Sequence, residues 1–309
     1  MRVFSAVLMA VTACLPLRAA YAAFDLVDQD GAVTVTENGK PVLVYHYQPV
    51  AAPTGVLERY TRACYIHPLY GLDGDVLTQD FPLDHFHHRG VFWAWPECTV
   101  GGRRMDVWAL DGVRQRHEKW TVKEAKADRV DIGAINCWSF DDAPDKRMVE
   151  EEVRFTVFPA TDTGRIIDFA LKFTNVSGET VTFLGAKNKG YGGFCCRANA
   201  QRGPLVFTSS QGVSPEDVLK LDSPWADVVL TGEKGPKAGL AIFQNRANPG
   251  YPFPGWIFRH YGFLGASWPH ETTHVMKPGD VFELKYRTVI HRGSAEDAGI
   301  AKQFAEYAK

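Results

Sequence analysis

A regular alternation of apolar and polar residues is the feature that most limits what this chain can fold into. It is clearest in the segments 149–157, 167–173 and 282–290, where every second side chain is apolar and most of the others are charged or polar. Successive side chains of a β-strand point to opposite faces, so these segments predict strands with one buried and one solvated face. That pattern is typical of antiparallel sheets that cover a core on one side.

The turns between such segments carry their own signals. Asn38-Gly39 lies between the alternating segments 33–36 and 42–47. Because Asn and Gly accept the positive φ angles of a tight turn, this stretch predicts a β-hairpin.

A helix is predicted only at the end of the chain. Ser294 and Asp297 form a capping-box pattern, and Ile300, Phe304 and Tyr307 follow at helical spacing. No long linker or internal repeat divides the preceding segments. We therefore expect an all-β protein: one large antiparallel β-sandwich domain over residues 23–309, with a short C-terminal helix.

Residues 1–22 resemble a signal peptide. A positive start at Met1-Arg2 and an apolar stretch over 3–17 precede Ala20-Tyr21-Ala22, which fits a cleavage site. Cleavage there predicts a periplasmic or secreted protein. The alternative is a lipoprotein, because residues 11–14 resemble a lipobox that would place a lipid anchor on Cys14. No later segment approaches the ~20 apolar residues that a membrane-spanning helix requires.

The charge balance bears on the class of partner. The formal net charge is −2, and charges of both signs are spread along the chain without a basic run. This disfavours nucleic acid and anionic membranes as partners and favours a small molecule or an oligosaccharide. Five cysteines follow the leader without C-x-x-C spacing, so neither a disulfide framework nor a zinc ribbon is predicted. The adjacent Cys195 and Cys196 are expected to be buried free thiols.

The densest chemistry lies in Asp84-His85-Phe86-His87-His88-Arg89-Gly90, directly before an apolar segment over 91–95. Histidine exchanges protons near neutral pH, and arginine presents a fixed fork of donors. If the strand extended backwards, His88 would point away from His85 and His87. We expect instead a turn, eased by Gly90, that gathers all three imidazoles. The competing interpretation is a structural loop whose histidines cap turns and pack on tryptophan.

Other residues are candidates for the same site. His117 follows a turn, so the chain could bring it close to the histidine cluster. It would then be a catalytic partner of Asp84, His85, His87 and His88. Aromatic faces stack on sugar rings while polar groups hold hydroxyls, and on this basis the candidate substrate-binding residues are Arg89, His67, Trp93, Trp95, Arg197, Trp225 and His270. For His67 a structural role is equally open, for Arg197 an ordinary salt bridge, and for each tryptophan a place in the core.

The D-H-x-H-H-R-G stretch at 84–90 also carries a resemblance. Together with His67-Pro68-Leu69-Tyr70-Gly71, Phe92-Trp93-Ala94-Trp95 and residues 190–194 and 286–291, it resembles the family called PmoA-like. Phe86 stands where many relatives carry proline. Methane oxidation is excluded as an expectation, since the membrane enzyme needs several spanning helices. The resemblance implies instead an exported, galactose-mutarotase-like sandwich and, by analogy of fold, sugar chemistry.

The leading hypothesis is a carbohydrate-active enzyme: a lyase, hydrolase or epimerase acting on a sugar or an oxidised sugar. A histidine of the cluster would be the general base, Asp84 would orient it, and Arg89 would stabilise developing negative charge. One alternative is a non-catalytic glycan-binding module. Another is a metal-dependent oxidoreductase in which His85 and His87 hold a divalent ion. No cofactor is the preferred expectation, because ligand spacing without geometry is a weak indication of metal.

Overall fold

The alternating segments of the sequence form strands, as their period requires. The structure, a computed structural model, describes residues 23–232 and 237–309. The three clearest segments lie within Val149–Val157, Gly164–Asn175 and Val281–Arg292, and buried side chains alternate with more exposed ones along each of them. The predicted all-β class is confirmed.

The first strands in chain order are β1 (Phe24–Gln29), β2 (Ala32–Glu37), β3 (Lys40–His46), β4 (Tyr65–Leu69), β5 (Val91–Ala94), β6 (Cys98–Val100), β7 (Arg103–Met105), β8 (Val113–Ala125), β9 (Val130–Phe140), β10 (Val149–Val157) and β11 (Gly164–Asn175). They are followed by β12 (Val181–Phe183), β13 (Gly193–Arg197), β14 (Leu205–Ser209), β15 (Gly212–Ser214), β16 (Trp225–Leu230), β17 (Ala238–Gln244), β18 (Trp256–Arg259), β19 (Phe263–Ala266), β20 (His274–Met276) and β21 (Val281–Arg292). Short 3-10 turns occur at Glu58–Tyr60 and Ala200–Arg202, and the helix α1 covers Ile300–Tyr307.

Two large sheets enclose the core. One has the order β1-β2-β3-β4-β5-β13-β19-β18, and the other the order β15-β14-β16-β17-β21-β11-β10-β9-β8. Their inner faces meet through aromatic contacts: the Tyr45 and Phe155 rings lie 5.5 Å apart, and Phe194 stacks on Tyr286 at 4.8 Å. A small sheet, β20-β12-β6-β7, completes the architecture. The neighbouring strands pair antiparallel, so the predicted antiparallel sandwich is confirmed.

The predicted hairpin forms between β2 and β3, with positive φ at Asn38 and Gly39. The capping box at the C-terminus also forms, because Ser294 and Asp297 exchange backbone and side-chain hydrogen bonds. It closes a turn ahead of the helix rather than beginning it, since α1 starts at Ile300. The helix then packs Phe304 on Phe243 of β17, with ring centroids 5.4 Å apart.

The buried thiols agree with the sequence-based expectation: Cys195 and Cys196 are free and buried, as are Cys64, Cys98 and Cys137. Within residues 23–232 and 237–309, no helix is long and apolar enough to cross a membrane. The predicted signal peptide, including Cys14, lies outside the described residues.

The strand register determines where functional side chains can meet. Val91 at the start of β5 pairs with Cys196 near the end of β13, and Arg197 pairs with Phe263 at the start of β19. Phe263 in turn pairs with Arg259 at the end of β18. Antiparallel pairing therefore brings the segment before β5, the end of β13 and the β18–β19 turn to one end of the first sheet.

Candidate functional site

Two successive turns form the histidine cluster. The backbone N–H of His85 donates to the Pro82 carbonyl at 3.0 Å, and that of His88 donates to the His85 carbonyl at 2.9 Å. Gly90 then enters β5 with φ +50°, where a Cβ atom would overlap the Ile66 carbonyl oxygen. The turn expected before Gly90 is thus present, and the chain before Val91 is not the extended strand that would have separated His88 from its neighbours.

The imidazoles stack in an ordered group. His85 lies parallel to His88, with centroids 4.7 Å apart, and its ring also stacks on Tyr261 at 4.6 Å. His87 stands nearly perpendicular to both histidines, at 5.6 Å from His85 and 4.6 Å from His88. Trp108 packs against His87 and His88 at 5.8 and 5.5 Å. The three histidines predicted from the sequence therefore share one site, with Trp108 as its tryptophan.

Asp84 links this group to Arg197. One Asp84 oxygen lies 3.0 Å from His85 Nδ1, a close ion-pair contact whose angle is not that of a well-aligned hydrogen bond. Arg197 Nη2 donates to both Asp84 oxygens, at 2.8 and 3.0 Å. Arg197 Nη1 lies 3.4 Å from His88 Nδ1. Arg197 is therefore both a salt-bridge former and a support of the site, which joins the two interpretations left open by the sequence.

The group borders a cavity of about 440 Å³. Its lining combines imidazoles, aromatic rings and two cations: His85, His87, His88, Pro96, Trp108, Ala186, Lys189, Tyr191, Arg259 and Tyr261. No carboxylate is among these lining residues. A cavity of this size with a few converging polar groups is typical of a small-molecule site.

Burial controls the protonation of the lining. It lowers the pKa of His87 to about 3, with further lowering by His85 and nearby arginines. Burial also lowers the pKa of His88 well below its ordinary value, again with help from neighbouring positive groups. Both imidazoles are therefore neutral at neutral pH. The pKa of Asp84 would rise through burial, but His85 and Arg197 hold it below its usual range. Burial and Tyr191 raise the pKa of Tyr261, so its phenol stays protonated.

Another wall of the cavity is built around Arg259. Its Nε donates to Asp217 at 2.6 Å, its Nη1 donates to the Tyr191 hydroxyl, and its guanidinium lies 5.3 Å from the Tyr261 ring centre. Lys189 and Tyr191 belong to a tight turn in which the Lys189 N–H donates to the Ala186 carbonyl at 3.0 Å. These residues were not predicted as site residues: Lys189 and Tyr191 lie in a glycine-rich stretch over 187–194, and Arg259 begins an Arg-His-Tyr-Gly stretch over 259–262.

His270 supports this wall instead of lining the cavity. Its Nε2 lies 2.8 Å from the Leu219 carbonyl oxygen, and Gly190 rests against its ring, where a Cβ atom would overlap the imidazole. It is not among the residues that line the cavity, so its role in substrate binding stays a prediction. It holds the turn that presents Lys189 and Tyr191.

A buried arginine lies behind Trp108, one of the residues that line the cavity. Arg62 is 1% exposed, and its Nη2 donates to the carbonyls of Val107 and Trp108 at 2.7 and 2.8 Å. Its Nη1 donates to Gln115, which in turn donates to the buried Glu151 carboxylate at 2.9 Å. The backbone beside Trp108 is thus fixed by the Arg62 guanidinium, which binds its two carbonyls and the Gln115 side chain.

Arg89 points away from the cavity, contrary to its predicted role. Its guanidinium is 0% exposed, donates to Asp80 and the Tyr65 hydroxyl, and lies 3.6 Å from the centre of the Phe81 ring. Arg89 forms a backbone bridge with Asp80, and its side chain is directed to the Asp80 carboxylate.

His117 and His67 are also placed elsewhere. His117 lies on β8, in contact with Trp120 at 4.6 Å and Tyr47 at 5.1 Å, because β8 is the edge strand of the other sheet. His67 on β4 shares a hydrogen bond of 3.0 Å with the Thr78 hydroxyl. Neither lines the cavity.

The predicted tryptophans belong to the core. Trp93 and Trp95 are fully buried, and Trp95 Nε1 donates to the Trp268 carbonyl at 2.6 Å. Trp225 packs with Phe243 in the smaller core cluster beside α1. The alternative interpretation of these residues as packing residues is the one that their positions support.

No group of three or more His, Cys, Asp or Glu side chains is arranged to hold a metal ion in the part of the chain that the structure describes. Whether His85 and His87 bind a metal ion stays an open prediction, as does the preference for no cofactor.

These observations define the class: an all-β sandwich with an imidazole-rich, aromatic cavity at the end of one sheet. The chain belongs to the Family of unknown function (DUF6807), whose model matches residues 32–305. The PmoA-like family suggested by the sequence motifs is not confirmed by this match. No curated protein matches the chain.

Several solved structures are similar in fold. Galactose 1-epimerase from Lactobacillus acidophilus NCFM matches with a TM-score of 0.44 and 7% identity, over 88% of this chain and 99% of that one. A GalM/aldose epimerase homologue from C. elegans matches with a TM-score of 0.36 and 8% identity, over 88% and 100%. Heparan sulfate lyase HepC from Pedobacter heparinus matches with a TM-score of 0.39 and 11% identity; 89% of this chain covers 36% of the lyase. All three TM-scores are below 0.5, so we take the function from the cavity itself.

Proposed function

We propose that this protein is an exported carbohydrate-active enzyme whose cavity transfers protons to and from a sugar. The observation that carries the proposal is the His85 imidazole, which faces the cavity while Asp84 lies at its Nδ1 and Tyr261 stacks on its ring. Its side chain keeps 32% exposure, so a ligand can reach it. Export through residues 1–22 is part of the same proposal.

His85 is the proposed general base. A carboxylate at Nδ1 favours the tautomer that carries its proton there, which leaves Nε2 free to accept a proton. Asp84 has a pKa below its usual range, so it stays ionised and stabilises the imidazolium that forms. Arg197 holds Asp84 in place from the other side.

Tyr261 is the proposed general acid. Its raised pKa keeps the phenol protonated, and its ring shares the cavity with His85. The neutral His87 and His88 then serve as hydrogen-bonding groups for sugar hydroxyls, while the part of Trp108 that reaches the cavity offers an aromatic contact.

The residues that line the cavity favour a lyase or an epimerase over a hydrolase. Most glycoside hydrolases use two carboxyl groups that flank the scissile bond, and no carboxylate lines this cavity. A base and a protonated phenol instead suit removal of a proton from carbon. His85 would take that proton, and the electron pair left behind would either form a double bond as a C–O bond breaks or accept a proton on the opposite face. Tyr261, which stacks on His85, would donate a proton to the leaving oxygen in an elimination, whereas in an epimerisation the proton for the opposite face would come from water.

Deuterium exchange tests the proposal without knowledge of the product. A panel of neutral and acidic oligosaccharides is incubated with the protein in D₂O, and NMR follows deuterium at sugar carbons and any new double bond. We expect exchange or elimination with wild-type protein, and a loss of about 10²–10⁴-fold in rate for His85→Gln and Tyr261→Phe. His117→Gln, a half-buried histidine on β8, is the matched control and should retain the wild-type rate.

A second outcome would favour the glycan-binding alternative. Calorimetry that detects binding of a sugar, together with no exchange, elimination or hydrolysis of that sugar, would contradict the enzyme. Full exchange in His85→Gln would contradict the assignment of the base.

A further inference from the structure

The cations around the cavity are not all balanced by carboxylates. Arg197 is paired with Asp84, and Arg259 with Asp217. Lys189 lines the same cavity, is exposed, and has no ion-pair partner in residues 23–232 and 237–309. Since no carboxylate lines the cavity, its inner surface carries uncompensated positive charge at the Lys189 side.

Arg259 retains a donor for a ligand. Its Nε is engaged by Asp217 and its Nη1 by the Tyr191 hydroxyl. Its Nη2 makes no hydrogen bond to another group among the described residues. Asp217 and Tyr191 fix the guanidinium plane, so this remaining N–H group is preorganised, and Arg259 lines the same cavity as Lys189.

The unpaired lysine bears on the charge of the ligand. A neutral sugar would cover the Lys189 ammonium without pairing its charge. A ligand with a negative group would form charge-assisted hydrogen bonds, which are shorter and stronger than neutral ones.

We infer that the ligand of this cavity is an acidic sugar whose carboxylate or sulfate is bound by Lys189 and Arg259, which line the cavity together with the histidine cluster. This inference rests on the proposed function in taking the ligand to be a sugar. It also fits the proposed chemistry, because cations beside a carboxylate stabilise the negative charge that spreads onto it when the adjacent carbon loses a proton.

The test is a matched series of oligosaccharides with one backbone, either neutral, carboxylated at C6 or sulfated at C6, measured by isothermal titration calorimetry. We expect at least one acidic member to bind about tenfold or more tightly than the neutral one. Lys189→Gln should remove most of that preference. Lys187→Gln changes an exposed lysine of the same turn that does not line the cavity, and should leave it intact.

The two acidic oligosaccharides identify the negative group of the ligand. Tighter binding of the carboxylated member assigns a carboxylate, and tighter binding of the sulfated member assigns a sulfate. Equal binding of neutral and acidic members, binding of none, or equal loss in the two lysine variants would overturn the inference. Acidic sugars that bind through Lys189 without deuterium exchange would leave the inference standing while the enzyme proposal fails. Exchange confined to neutral sugars would do the reverse.

Discussion

His88 and Arg89 are neighbours in the sequence but belong to two different regions of the molecule. His88 lies in the stacked group beside the cavity, 3.4 Å from Arg197 through its Nδ1 atom. Arg89 lies on the other side of the chain, where it binds Asp80 and the Tyr60 carbonyl between the rings of Phe81 and Tyr65. One histidine-rich segment thus supplies both the histidines of the candidate site and a buried arginine that stabilises the fold.

A high density of ionisable residues in a segment therefore does not by itself separate site residues from structural ones. Arg89 is satisfied by protein groups, so it has little left to offer a ligand. The histidines face the cavity and stack mainly on one another and on Tyr261, which leaves ring nitrogens available. Substitutions should therefore affect stability on the arginine side and activity on the histidine side.

The largest expected effect on stability comes from Arg89→Met. It would leave Asp80 and the Tyr65 hydroxyl without their buried partner, and we expect a loss of about 3–5 kcal/mol in the free energy of unfolding. Urea denaturation measures it. Arg154→Met is the control, because Arg154 pairs with Glu152 at 59% exposure and should cost no more than about 1 kcal/mol. Equal losses in the two variants would remove the structural role assigned to Arg89.

Acidic pH is expected to have an intermediate effect on the free energy of unfolding. The folded pKa of His87 is about 3, below the ordinary value of 6.5, so the unfolded chain binds more protons below pH 6.5. The free energy of unfolding should therefore fall between pH 6.5 and about 3, by up to about 1.4 kcal/mol per pH unit from this group, and be unaffected by it above pH 6.5.

His88 contributes in the same direction, since its pKa is lowered as well. His87→Gln should thus reduce the slope of stability against pH, and the double variant with His88→Gln should remove most of what the pair contributes. Urea denaturation at a series of pH values gives the slope. A slope that is unchanged in the double variant would show that these imidazoles do not exist as buried neutral groups.

The smallest effect on stability is expected from His85→Gln. His85 is partly exposed and its ion pair with Asp84 is open to solvent, so the free energy of unfolding should change by less than about 1 kcal/mol. Thermal denaturation, set beside the deuterium-exchange rate of the same variant, tests the separation of the two regions. A loss as large as that of Arg89→Met would favour the structural-loop interpretation of the histidines.

The sequence predicted what is local. Alternation over 149–157 and 282–290 was enough for strands, and the dense Asp84–Arg89 segment was enough to locate the histidine side of the cavity. The turns at 82–88 could be anticipated because Gly90 allows a backbone that other residues resist.

The other residues of the site could not be predicted, because contacts between distant segments bring them together. Tyr191 and Tyr261 reach the site only because β13 pairs with both β5 and β19, a register that no single segment encodes. Trp108 could not be distinguished from the other tryptophans, since its contacts with His87 and His88 join two separate segments. The direction of Arg89 was missed because its partners Asp80 and Tyr65 lie in other segments, and their positions depend on the fold.

The contact between Gly190 and His270 has a consequence for how this cavity could diverge among relatives. Lys189 and Tyr191 flank the glycine, so both are carried by the backbone that rests on the His270 ring. A larger residue at position 190 would displace both together, while His85, Asp84 and Tyr261 are held by other segments. A single position can therefore change the wall that carries Lys189 while the proposed base His85 and its partner Asp84 keep their places, and Tyr261 feels the change through its contact with Tyr191.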